Sequence, residues 1–140
     1  MLKRLILLLT FFTCCKFVFA QGSGVAKKNY VKTNPNMLFC GKNDGFILLD
    51  SLKGTPVLSV PVPYTLISTT LILNGAGFSS PKIATLFSGP NSRSLRLDAL
   101  GELLKQFTVG TKIAFLNIKI KKDKIIYDAP DMIFIVKDKL

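Results

Sequence analysis

A chain of 140 residues with a formal net charge of +11, no histidine and no tryptophan has the length of one domain. It lacks the residue on which Ser and Cys triads and most zinc sites depend, and the aromatic that best stacks on sugars. Two of its three cysteines, Cys14 and Cys15, fall in the first segment, so the remainder forms no intrachain disulfide and must be held by its core.

The chain opens MLKRLILLLTFFTCCKFVFAQG. Lys3 and Arg4 precede an apolar stretch from Leu5 to Cys15, and Val18-Phe19-Ala20 offers a cleavage site before Gln21. This three-part pattern predicts a secretory signal peptide over 1–20. Lys16 interrupts the run well short of the about 20 residues that a spanning helix needs. Neither Cys14 nor Cys15 has a good lipobox before it, and membrane association is expected only if one of them is acylated. Loss of Lys3, Arg4 and Lys16 with the signal takes the net charge from +11 to +8. So basic a domain suits an acidic protein, an anionic lipid or glycan surface, or nucleic acid, and export makes nucleic acid the weakest of these.

Residues 21–36 read as a flexible leader, polar and carrying Gly, Asn and Pro. A domain over 37–140 follows. Asn43-Asp44-Gly45 between MLFC and FILLD predicts a hairpin. VLSV (57–60), YTLISTTLIL (64–73), IATLF (83–87) and RSLRL (93–97) read as strands, the second of them rich in β-branched residues. In LDALGELLKQF, Leu97, Leu100, Leu103, Leu104 and Phe107 recur at helical spacing. This predicts a short α-helix over about 98–107, N-capped by Asp98, with its leucine face on a sheet. In TKIAFLNIKIKK, strict alternation places Ala114, Leu116, Ile118 and Ile120 on one face, and Ile113, Phe115, Asn117, Lys119 and Lys121 on the other. KIIYD (124–128) and MIFIVK (132–137) complete a mainly β chain, an antiparallel β-sandwich with one short α-helix.

Few residues invite chemistry. Asn74-Gly75-Ala76-Gly77 lacks the Lys-Ser/Thr ending of a phosphate loop and reads as a turn. Asp128 and Asp131 flank Pro130 at a strand junction. They would serve as an acid/base pair or a calcium corner only with further ligands, which the spacing does not supply. Cys40 reads as a small buried hydrophobe, with a free thiol or an interchain bridge as alternatives. No cofactor or metal is expected, and the chain reads as non-enzymatic. Lys119, Lys121, Lys122 and Lys124 cluster around Asp123 at a predicted hairpin tip, without the interleaved aromatics that stack bases. They form a charged rim that protects an edge, or a basic face for a partner.

Three stretches bear a family resemblance. PNMLFCGKNDGFIL (35–48) looks like a strand-turn-strand opening. Leu97–Phe107 followed by TVGTKIAFLNI (108–118) looks like a helix, Gly turn and F-x-N-I strand. Asp128 to Lys137 looks like a closing acidic, Pro-containing turn and last strand. In these the chain resembles the β-domains of the GldM family, periplasmic components of the gliding-motility and type IX secretion machinery of Bacteroidetes. The resemblance implies an exported β-domain for protein–protein contact, with a secretion or gliding component of the envelope as partner. That family opens on a membrane helix coupled to a motor, where this chain carries a signal, so motor coupling is not carried over. The expectation is an exported, periplasmic or envelope-associated, non-enzymatic binding or assembly module. The alternative is a secreted or surface-attached binder of anionic polymer (glycan, lipid headgroup or DNA) through its basic face.

Overall fold

The computed structural model describes residues 31–139. The signal peptide predicted over 1–20, with Cys14 and Cys15, residues 21–30 of the predicted leader and Leu140 lie outside the described residues. Ten strands follow in order: β1 (Val31–Lys32), β2 (Leu38–Phe39), β3 (Gly45–Leu48), β4 (Val57–Ser59), β5 (Thr65–Gly75), β6 (Lys82–Phe87), β7 (Ser94–Arg96), β8 (Thr111–Lys122), β9 (Ile125–Asp128) and β10 (Met132–Lys137). One helical turn, α1 (Leu49–Leu52), follows β3, and a 3-10 segment spans Asp98–Gln106. The chain is mainly β and two-layered with a short helix, as its strand pattern predicts. A seven-stranded sheet centred on β8 faces a three-stranded sheet ordered β2-β4-β7. Most pairings are antiparallel, while β10 with β3 and β1 with β9 are parallel. Val31 and Lys32, expected in the leader, therefore already belong to the large sheet.

The layers meet through aromatic rings. Phe39 of the small sheet lies 4.9 Å from Phe115 of β8 and 5.3 Å from Phe134 of β10, ring centre to ring centre. All three rings are fully buried, together with Ile47, Leu58, Leu73, Leu97 and Ile113. Phe39 reaches this position because its strand does not form the predicted hairpin with FILLD. The chain reverses one turn earlier: Phe39 and Lys42 exchange both backbone hydrogen bonds around Cys40 and Gly41, which take φ of 49° and 80°. Two successive positive φ values mark the turn type that closes a two-residue hairpin. β2 then pairs with β4, while β3 crosses to the large sheet and pairs with β10. Asn43-Asp44-Gly45 serves as the crossing between layers.

The predicted α-helix is a pair of 3-10 turns broken at Gly101, whose φ of 49° and ψ of −113° are not helical. Leu97, Leu100 and Leu103 step by three, the 3-10 period. Leu97 is buried while Leu100, Leu103 and Leu104 pack half-buried on the core. Asp98 is not the cap: Leu97 holds that position, and Asp98 pairs with Arg96 at 3.1 Å.

Candidate partner-binding face

The placement of the lysines depends on a reversal within β8. Ile113 and Phe115 point into the core, as odd-numbered residues, and strict alternation would send Asn117, Lys119 and Lys121 after them. Instead Ile118 and Ile120 are fully buried, and Asn117 adopts φ 51°. This bulge-like irregularity reverses the phase of β8 without a net shift of register, and the predicted division of β8 into two unbroken faces does not hold. The neighbouring strands reverse at the same level. In β5, Leu66 points inward before the break, and Thr69, Leu71 and Leu73 after it. The pairing of β5 with β8 is irregular only around Ser68 and resumes with its original register at Leu66–Ile120. On the other side, β9 and β10 behave as one interrupted strand: Asp128 opposite Lys119 and Met132 opposite Phe115 share a single register, which sets Pro130 opposite Asn117.

Proline has no N–H to give to the ladder at that point, and side chains from both flanking strands bond the β8 backbone there. The Asn117 amide donates to the Asp131 carboxylate at 3.1 Å, and the Thr69 hydroxyl donates to the Leu116 carbonyl at 3.1 Å. The Ala129 amide donates to the Ile118 carbonyl at 3.0 Å. Asp131 thus holds the bulge. Asp128 pairs with Lys119, both side chains being half-buried. The two carboxylates considered for acid/base work each have a structural partner, and among the described residues no group of three or more His, Cys, Asp or Glu is placed to hold a metal.

The four candidate lysines do not share one face. Lys119 and Lys121 point away from the core, opposite Asp128 and Ile126. Lys122, opposite Ile125, has the inward phase at the end of the strand and is half-buried. Lys124 is exposed in the two-residue turn it forms with Asp123, which takes φ 55°. The tip is therefore the charged hairpin turn that the sequence predicts, and Lys119 and Lys121 extend it onto the outer surface of the sheet.

Beyond the bulge the same outer surface is apolar. Register places Phe46 beside Ile135, Ile133 beside Ala114, Ala114 beside Ile72, and Ile72 beside Ile83. Phe46, Ile133, Ile135 and Ile83 are exposed, Ile133 to 50%. Lys137 lies over the Phe46 ring, 3.4 Å from its centre, and Lys112 sits between Ile135 and Asn74 in the register. The outer surface is thus apolar on one side of the bulge line, with Lys112 and Lys137 at its far end, and carries Lys119 and Lys121 on the other. Sequence reading missed the apolar half, although the alternation of MIFIVK contains it: Met132, Phe134 and Val136 face in, so Ile133 and Ile135 face out.

Two other candidates resolve into structure. Gly75 (φ 86°) and Gly77 (φ 89°) sit where a Cβ would meet backbone carbonyls, Gly110 O at 2.8 Å and Gln106 O at 2.0 Å. The Thr111 hydroxyl also donates to the Ala76 carbonyl at 2.6 Å. These glycines let two backbones approach, and carbonyl oxygens crowd the turn where a phosphate would need amides. Cys40 is half-buried in its turn, and burial raises its thiol pKa, partly offset by a backbone hydrogen bond involving Val57.

Compared with protein-family models, with curated proteins and with solved structures, the chain matches none.

Proposed function

We propose that the chain is an exported, non-enzymatic binding or assembly module of the cell envelope, of the kind its resemblance to the GldM family implies. Its partner is an acidic envelope protein, a secretion or gliding component under that resemblance. The observation that carries the reading is the outer surface of the large sheet: exposed Phe46, Ile133 and Ile135 beside lysines on a chain of net charge +11. An acidic partner with an apolar contact stripe is complementary to both halves of that surface. Binding to anionic polymer through Lys119, Lys121, Lys122 and Lys124 is the second reading, favoured by their crowding around one hairpin tip. The two differ in salt dependence, because polyanion binding falls steeply as salt rises while apolar contact persists.

The test is recovery of tagged protein from the envelope of its own cells with low- and high-salt washes, wild type beside Ile133→Asp. An acidic protein retained through high salt by the wild type and lost by the variant supports the binding module. Retention of polyanions alone, released by salt and indifferent to Ile133→Asp, overturns it in favour of the second reading.

A further inference from the structure

The large sheet ends at β6, whose one pairing among the described residues is with β5. Natural sheets blunt a free edge with short strands, inward charges, proline or bulges. The other marginal strands follow that rule: β1 and β2 have two residues each and β7 has three. β3 has four and opens on Gly45. β6 has six residues, KIATLF, with a single charge at its first position and no proline within it. Pro81 and Pro90 stand just outside. Ile83 is 68% exposed and Phe87 72% exposed.

We infer that β6 is a self-association edge, pairing antiparallel with β6 of a second copy about a two-fold axis through Thr85. The strand is self-complementary about that residue. Residues directly opposite in an antiparallel pair share a face, so only axes that pass through a residue are allowed. An axis at Thr85 sets Ile83 against Phe87 of the second copy, Phe87 against Ile83, Thr85 against Thr85 and Ala84 against Leu86. Aromatic–β-branched and Thr–Thr pairs are favourable cross-strand combinations. The axis also sets Lys82 opposite Ser88, so the two lysines lie at opposite ends of the paired segment, farther apart than a Debye length. Moving the axis to Ala84 would set Phe87 against Pro81, and moving it to Leu86 would set Lys82 against Pro90. Thr85 is the position that uses the whole strand and covers both exposed side chains. Pairing there joins two seven-stranded sheets into one. A strand edge buries less than a standard interface of about 1,600 Å², so the dimer is weak and its population depends on concentration. This inference does not rest on the envelope reading, which concerns the broad outer surface rather than the edge.

The experiment is sedimentation equilibrium on the purified protein, in the form recovered from its own cells, from low to several hundred micromolar. The expected result is a reversible monomer–dimer equilibrium. Phe87→Asp, at an exposed position where circular dichroism should show the monomer still folded, is expected to weaken it by about tenfold or more, because symmetry applies each loss twice. Thr85→Lys and Thr85→Glu each weaken it several-fold, and an equimolar mixture of the two restores association, since only an axis at Thr85 places these side chains opposite each other. A monomer at every concentration overturns the inference. So does a dimer indifferent to Phe87→Asp, and so does failure of the Lys/Glu mixture to recover what each variant loses.

Discussion

Phe39→Ala tests whether the two layers are clamped by one ring. Phe39 is fully buried and touches Phe115 and Phe134 at 4.9 and 5.3 Å. A phenylalanine side chain buries roughly 150–250 Å², which at about 25 cal/mol per Å² gives an upper figure of roughly 4–6 kcal/mol. Part of that is kept by the alanine methyl, and the space left behind adds a cavity cost, so the expected loss is about 3–5 kcal/mol. Against a total of roughly 5–15 kcal/mol for a domain of this size, such a loss leaves the variant marginal or unfolded. Phe39→Leu keeps most of the buried area and gives up two ring–ring contacts of about 0.5–1.5 kcal/mol each beyond area. Urea unfolding followed by circular dichroism measures all of this, with Phe87→Ala as the control. The same substitution at a 72% exposed site should stay within about 0.5 kcal/mol of wild type. If Phe39→Ala costs less than about 1 kcal/mol, or no more than Phe87→Ala, the ring does not join the sheets and the sandwich core is elsewhere.

The bulge gives a pair of contrasting variants. Asn117→Gly should be nearly neutral and Asn117→Val should cost about 1–2 kcal/mol, because β-branched residues resist positive φ. Thr69→Val removes the donor to the Leu116 carbonyl from a buried site and should cost about 1–3 kcal/mol in urea unfolding. Gly77→Ala places a methyl within 2.0 Å of the Gln106 carbonyl oxygen at positive φ, and its soluble yield and melting temperature should fall more than those of Gly89→Ala, where nothing lies within 4 Å. Burial raises the Cys40 thiol pKa, so its stability contribution is present below the unfolded-state value of about 8.5 and is lost as pH rises through the higher folded-state value. Wild type should therefore lose stability across alkaline pH relative to Cys40→Ser, and native protein should be alkylated more slowly than a model thiol at the same pH.

Much of the framework was legible because it is local. The β-branched run of β5, the apolar run of β10 and the Asp123-Lys124 turn each carry their own signal, and the structure places them as strands and a hairpin tip. Where reading failed, two local signals competed or the deciding partner was distant. Asn43-Asp44-Gly45 is a strong hairpin sequence, yet Cys40-Gly41 closes the turn, which then sends β3 to the other layer. The leucine spacing announced a helix, but its steps of three and Gly101 favour 3-10 turns over α. Strict alternation in β8 could not foresee a reversal whose partners, Pro130 and Asp131, lie beyond β9 and whose third partner, Thr69, lies on β5. The lysines were found and the apolar surface was not for a related reason: a lysine run is visible residue by residue, whereas Ile133, Ala114, Ile72 and Ile83 become neighbours only through the pairing of β10, β8, β5 and β6.

That reversal also ties fold to surface. Had β8 kept one phase, Lys119 and Lys121 would continue the face of Ile113 and Phe115, and two ammonium groups would point into the layer interface. Burying even one unpaired charge there costs several kcal/mol, comparable with the stability of the whole domain. The bulge at Asn117 turns Ile118 and Ile120 inward and both lysines outward. It costs one left-handed residue, about 1–2 kcal/mol, offset by the Asp131 and Thr69 hydrogen bonds. A basic segment and a buried segment therefore coexist on one twelve-residue strand. The outer surface changes character, from apolar to cationic, along the line where the alternation reverses. Straightening that line by Pro130→Val with Asp131→Val would remove the break and the bulge's acceptor together. The lysine hairpin should then lose its inward isoleucines, and β9 should lose hydrogen-exchange protection before β10 does. Equal loss across both strands would mean that the bulge only tolerates the lysines and does not position them.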